Sequence, residues 1–111
     1  MLINPALNPI MTLKEYEDKE VICYSKSSSF IFKKEYLLQL NQYVTSQFNN
    51  KNILLLLQIG DTTVDYKESI NFIPEVKMII ESGGSHQFDG IEKYFEHIGS
   101  FMEINRPRSK L

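Results

Sequence analysis

The chain has 111 residues, 42% hydrophobic and 23% charged, with a formal net charge of −2: material for one small globular domain, not two, and no electrostatic basis for binding nucleic acid or an anionic membrane. No apolar run approaches the roughly 20 residues needed to span a bilayer, and the N-terminus lacks the basic region and apolar core of a secretion signal. The single cysteine, Cys23, rules out an internal disulfide, so a reducing cytoplasm is the expected compartment.

Leu2 and Ile3 are β-prone and are followed by Asn4 and Pro5. Proline donates nothing to a ladder, so a strand near residues 2–3 must stop there. Two residues are short against the usual strand of about 5–6, which suggests that the sequence enters a domain partway through. A short helix is expected over residues 9–16. Either Asn8 caps it with Pro9 at the first helical position, or Thr12 and Glu15 form a capping box. Residues 21–24 and 30–32 are β-prone runs around a serine-rich turn and are expected to pair as a hairpin.

Tyr36, Leu37, Leu40, Tyr43, Val44 and Phe48 recur at helical spacing, which predicts a helix over 33–48 with a core-facing stripe. Asparagines at 49, 50 and 52 end it. Residues 53–58 are continuously apolar up to Gln58, the mark of a parallel strand buried on both faces. A second strand is expected at 76–81, and the interval between them suits a right-handed βαβ crossover. Its helix begins after Asp65, which with Glu68 fits a capping box, the Asp65 side chain taking the backbone N–H three residues on; Pro74 prevents its continuation. A closing helix to about residue 103 has Asp89 and Glu92 as a second box. Its apolar stripe is Ile91, Tyr94, Phe95, Ile98, Phe101 and Met102. Residues 105–111 read as a polar, basic tail. The expected class is α/β, a short parallel sheet with flanking helices.

Two residues stand where chemistry is done in such sheets. Asp61 follows Gly60 just past the strand at 53–58, and ligands of open α/β sheets bind at strand carboxyl ends. A carboxylate there either shapes a Gly-Asp turn or holds the tautomer of a histidine. His86 follows Gly83 and Gly84 on the loop after the next strand, where an imidazole can take and return a proton near neutral pH. Acid, then histidine, one crossover apart, is the order in which an α/β-hydrolase places the last two members of its triad. The nucleophile elbow G-x-S-x-G that should precede them does not occur in the sequence. Ser82 and Ser85 border the glycine pair without the strand–turn–helix setting of an elbow. Asp65 is explained as a helix cap and His97 as a solvent-facing helix residue. Cys23 lacks a neighbouring histidine or CxxC partner. The histidines and cysteine form no metal-site pattern, and there is no phosphate-binding glycine loop.

Four segments carry a family resemblance: Leu2-Ile3-Asn4-Pro5-Ala6, Leu56-Leu57-Gln58-Ile59-Gly60-Asp61, Asp65-Tyr66-Lys67-Glu68, and the run from Glu81 through Gly83, Gly84, His86, Phe88 and Gly90 to Glu92. Together they resemble the YqiA/YcfP-like esterases, small α/β-hydrolases, over residues 2–102. The resemblance implies a carboxylic-ester hydrolase with Asp61 as triad acid and His86 as triad histidine. It also implies that Leu2 and Ile3 are the strand after the serine helix. Family members carry an H-G-F segment and the serine elbow in an N-terminal half. They usually have an arginine after N-P-A, where this chain has Leu7 and Asn8.

The resulting expectation is residues 1–104 as a partial α/β-hydrolase domain without its nucleophile half, and residues 105–111 as tail. No cofactor is expected. The parent fold would take a small acyl-ester substrate, and this chain alone should be inactive. A half-sheet should expose an apolar edge and face, and so associate with a separate N-terminal half or with a second copy. An inactive remnant, one chain of a split hydrolase and a non-catalytic module that dimerises through its sheet edge all remain open.

Overall fold

A computed structural model describes residues 1–25, 27–44 and 48–104. In chain order the elements are β1 (Leu2–Ile3), α1 (Pro9–Leu13) continued by a 3-10 turn, the strands β2 (Glu20–Cys23) and β3 (Ser28–Ile31), α2 (Lys34–Asn41), β4 (Leu54–Gln58), α3 (Tyr66–Phe72), β5 (Lys77–Glu81) and α4 (Phe95–Ile104). Among the described residues, no helix is long and apolar enough to cross a membrane.

β4 is the centre. It pairs in parallel with β1, Leu2 beside Leu55 and Ile3 beside Leu56, and in parallel with β5 from Leu54 beside Lys77 to Gln58 beside Glu81. The sheet order is β1-β4-β5, and the class is α/β, as the continuous apolar run predicts. All five β4 residues are buried, and the strand pleat explains why none is polar before Gln58. Leu54 and Leu56 point to one face, against Phe88, Ile98 and Phe101. Leu55 and Leu57 point to the other, against Ile73 and Val76. A strand covered on both faces cannot alternate with polar residues. Both faces of β4 are therefore filled and both its edges paired. Among the described residues, the open sheet edges fall on the two-residue β1 and on β5, not on β4 itself.

The crossover helix is tied to the start of the sheet. The Ser69 hydroxyl donates to the Pro5 carbonyl (3.1 Å), and the Thr12 hydroxyl of α1 donates to the Glu68 carboxylate (3.0 Å). Glu68 therefore does not close a box with Asp65. Asp65 caps α3 by accepting from the Lys67 N–H (2.9 Å), two residues on rather than three. Pro9 opens α1 behind Asn8, whose side chain makes no cap hydrogen bond. β2 and β3 form the expected antiparallel hairpin, apart from the parallel sheet.

Two helices depart from the expected bounds. α2 ends at Asn41, and of its stripe Leu37 is buried while Tyr43 is exposed; residues 45–47 of the predicted helix lie outside the described residues. The closing helix starts late. Gly90, with φ of 74°, precedes a 3-10 turn over Ile91–Tyr94 and α4 follows it, so Asp89 and Glu92 form no capping box. Ile98 and Phe101 of the expected stripe reach the core, whereas Phe95 and Met102 are exposed. The expected tail lies outside the described residues.

Leu56→Ala should lower the unfolding free energy by about 2–5 kcal/mol, the range for truncating a fully buried leucine. Leu38→Ala, at a position 64% exposed, should change it by less than about 0.5 kcal/mol. Urea denaturation midpoints of the two variants check this.

Candidate active site

Because β4 and β5 run parallel in register, the segments that follow them leave the sheet at the same end. The Ile59 N–H donates to the Glu81 carbonyl (2.9 Å) and the Gly60 N–H to the Gly83 carbonyl (2.8 Å), which carries the pairing past the strands into both loops. Gly60 is required for this approach. A Cβ there would lie 2.3 Å from the Gly84 carbonyl oxygen and 2.7 Å from that of Gly83, closer than any real side chain is found.

The acid turn closes as the Asp61 N–H donates to the Gln58 carbonyl (3.1 Å). Asp61 Oδ1 then accepts from the backbone N–H groups of Thr63 (2.8 Å) and Val64 (3.0 Å). Its other oxygen, Oδ2, stands 2.9 Å from His86 Nδ1. The Asp61 side chain is 2% exposed and the His86 side chain 46%. Burial alone would push the Asp61 carboxyl up. The hydrogen bonds from His86, Val64 and Thr63 outweigh it and hold the group below the ordinary carboxylate value. An ionised carboxylate only accepts, so Nδ1 carries the hydrogen and the basic lone pair is on Nε2.

The histidine is presented by a loop anchored at both ends. Gly83 and Gly84 have φ of 74° and 76°, which glycine adopts without a Cβ penalty. The Phe88 N–H donates to the Ser85 carbonyl (3.0 Å), closing a turn around His86. Phe88 itself, at φ of 63°, drives its ring into the core against Tyr94. Behind the loop, Glu81 accepts from Lys93 Nζ (2.8 Å) and from the Tyr94 hydroxyl. Those bonds lower the Glu81 carboxyl.

Asp61 and His86 are thus side by side, and the other candidate side chains meet different partners. Asp65 caps α3. His97 is exposed on α4, edge-on to Tyr94. Cys23 lies on the hairpin, 3.6 Å from the Ser25 hydroxyl. Ser85 spends its hydroxyl on Asp89 Oδ1 (3.0 Å). The side chains of Asn4 and Gln58, which the sequence reading does not single out for the site, also reach the histidine loop. The signal was there to read: a glutamine directly after four leucines is a polar group headed for burial.

An apolar cavity of about 550 Å³ opens between α1 and the hairpin, lined by Leu13, Tyr16, Tyr24, Phe30 and Phe32 and reaching Thr63 of the acid turn. A second groove, beside Leu54, Lys77 and Phe101, lies at the amino ends of the strands, away from the Asp61–His86 pair. Among the described residues, no group of three or more His, Cys, Asp or Glu side chains is placed to hold a metal ion.

The depressed Asp61 carboxyl makes stability depend on pH with a definite sign. Its contribution is complete above the unfolded value of 3.8 and fades as pH falls through the lower, folded value. Urea titrations at a series of pH values should show stability dropping below about pH 4. Asp61→Asn should be less stable at neutral pH by about 1–3 kcal/mol, with a shallower acid limb.

The model of the uncharacterised protein family UPF0227 matches residues 1–103. The match takes in β1, β4, β5 and the loops that carry Asp61 and His86. By that match the chain belongs to UPF0227, the YqiA/YcfP esterase-like family.

Proposed function

We propose that this chain supplies the acid and the histidine of a serine-type acyl-ester hydrolase. The observation that carries the reading is the 2.9 Å Asp61 Oδ2–His86 Nδ1 contact at the carboxyl ends of adjacent parallel strands, with the imidazole half open to solvent. Membership of an esterase-like family supports it.

The chemistry follows from where the proton sits. With Nδ1–H given to Asp61, Nε2 is free to act as a base. His86 Nε2 takes the proton of a serine hydroxyl as its oxygen attacks the ester carbonyl, and the imidazolium so formed is stabilised by the Asp61 carboxylate. His86 then returns that proton to the departing alkoxide. In the second half-reaction it takes a proton from water and gives it back to the serine. His86 is the catalytic residue, and Asp61 acts through it.

The serine and the oxyanion donors come from a segment outside these 111 residues, which contain no G-x-S-x-G. Such a segment has a place to dock in the edge of β1 opposite β4, where a further parallel strand would extend the sheet. Ser85 does not substitute, because it shares the loop of His86 and its hydroxyl is engaged by Asp89. A second reading rests on the same edge: β1 pairs with another copy, and the chain is a non-catalytic dimerising module.

Hydrolysis of a short-chain p-nitrophenyl ester tests this. The chain alone should show no turnover above its His86→Ala variant. Joined behind the elbow-bearing segment of a YqiA/YcfP-like relative, it should turn over the ester. His86→Ala should then cost at least about 10³-fold in kcat, and Asp61→Asn should also cost orders of magnitude. A joined chain whose turnover ignores His86→Ala overturns the reading. A stable homodimer, inactive even when joined, supports the module instead.

A further inference from the structure

Two buried amides, Asn4 at the end of β1 and Gln58 at the end of β4, converge on the backbone of the histidine loop. Asn4 takes up the parallel ladder where β1 stops. Its backbone N–H donates to the Leu56 carbonyl (2.9 Å), and its side-chain Oδ1 accepts the next free N–H of β4, that of Gln58 (3.0 Å). Both hydrogens of Nδ2 then go to the loop, one to the Ser85 carbonyl (2.9 Å) and one to the His86 carbonyl (3.1 Å). Asn4 holds this pose at φ of 41°, a region that asparagine tolerates better than most residues.

Gln58 is 0% exposed and also uses its whole amide. Oε1 accepts from the Ser85 N–H (3.0 Å) and the Asp89 N–H (2.8 Å). Nε2 donates to the Asp89 carbonyl (2.7 Å) and to Glu81 Oε1 (3.1 Å). Gly84 leaves room for it, since a Cβ there would lie 1.9 Å from Oε1. The peptide groups on both sides of Ser85, and the carbonyl of His86, are therefore held by side chains from two other strands. That leaves the direction of the imidazole little freedom.

We infer that Asn4 and Gln58 are positioning residues: they clamp the backbone at Ser85, His86 and Asp89 so that His86 Nδ1 meets Asp61 Oδ2. The inference deepens the proposed function, since it rests on His86 being the proton carrier. Both positions need an amide rather than an acid. Aspartate at position 4 keeps the acceptor for the Gln58 N–H but turns an anion on two carbonyl oxygens. Glutamate at position 58 keeps both acceptors but loses both donors and sets a second carboxylate against Glu81. A displacement of about 1 Å at a reacting group is enough to cost about 10²-fold in rate, so a clamp at this point has a function beyond stability.

The test is an NMR measurement of the His86 Nδ1–H resonance in the chain, with circular dichroism as the check on folding. It does not depend on ester turnover, so a chain that shows the resonance but stays inactive when joined to an elbow would lose the proposed function and keep the clamp. The wild type should show a hydrogen-bonded Nδ1–H that Asp61→Asn removes. Asn4→Asp and Gln58→Glu, folded at neutral pH, should lose it, and it should return as the introduced carboxyl is protonated. The other titratable groups here are Asp61, Glu81, Asp89, Lys93 and Tyr94. Of these, the Asp61 and Glu81 carboxyls are held below the ordinary value by the hydrogen bonds they accept, whereas a carboxyl facing carbonyl oxygens is pushed up. Should a variant unfold at neutral pH, the reading is taken on the acid side, where fold and resonance should return together. Either variant folded with an unchanged resonance overturns the inference. So does a fold that returns without the resonance, or a wild type that never shows it.

Discussion

Gln58 follows four leucines into a site that water does not reach, and a side-chain amide in such a place must find partners for two donors and two acceptors. Leaving one of them unpaired costs about 1–3 kcal/mol. The partners available are the groups at the end of β5 and in the loop beyond it: Glu81, the Ser85 N–H, and both backbone groups of Asp89. The loop must therefore fold back over the end of β4. It can do so only where Gly84 and Gly60 present no Cβ to the approaching chain. Much of the geometry at this end of the sheet is a consequence of satisfying one buried polar group.

The Asp61 turn obeys the same constraint with a charge in place of an amide. A carboxylate removed from water is expensive unless it is well supplied with donors. Two backbone N–H groups and one imidazole N–H supply them. A turn-forming Gly-Asp and a histidine-holding carboxylate are alternatives when only the sequence is in view. In the structure each takes one oxygen, Oδ1 for the turn and Oδ2 for His86. The turn holds the carboxylate rigid, and a rigid carboxylate gives the imidazole a fixed tautomer. The two groups differ in exposure, since the acid is sealed while the imidazole remains accessible.

Strand β1 is the element least able to stand by itself. It contributes two residues to the ladder, and its hold on the sheet is extended by the side chain of Asn4. In the proposed reading, this is the side on which a nucleophile-bearing segment would add its strands. The residue that completes the β1–β4 pairing would then also sit between the serine and the histidine halves of the site. The chain's relation to the esterase-like family gives that placement its meaning; the hydrogen bonds give it its mechanism.

The amino-acid sequence makes legible the parts of this protein that depend on sums along the chain. Four leucines in a row specify a strand covered on both faces, Asp65 before a polar helix specifies a cap, and Pro74 specifies a stop, because transfer energy and backbone propensity are local quantities. It also put Asp61 and His86 at neighbouring strand ends, since strand order and crossover length settle that. Which groups meet once the loops close is settled in three dimensions instead. Asn4 bonds to residues 81 and 82 positions away, and Gln58 to groups 23 to 31 positions away. The failed box at Asp89 has the same origin, since its backbone N–H and carbonyl are claimed by Gln58 and its carboxylate by Ser85. Hydrogen bonds are directional and short-ranged. Their partners are fixed by positions in space, and no pattern of neighbouring residues encodes those positions.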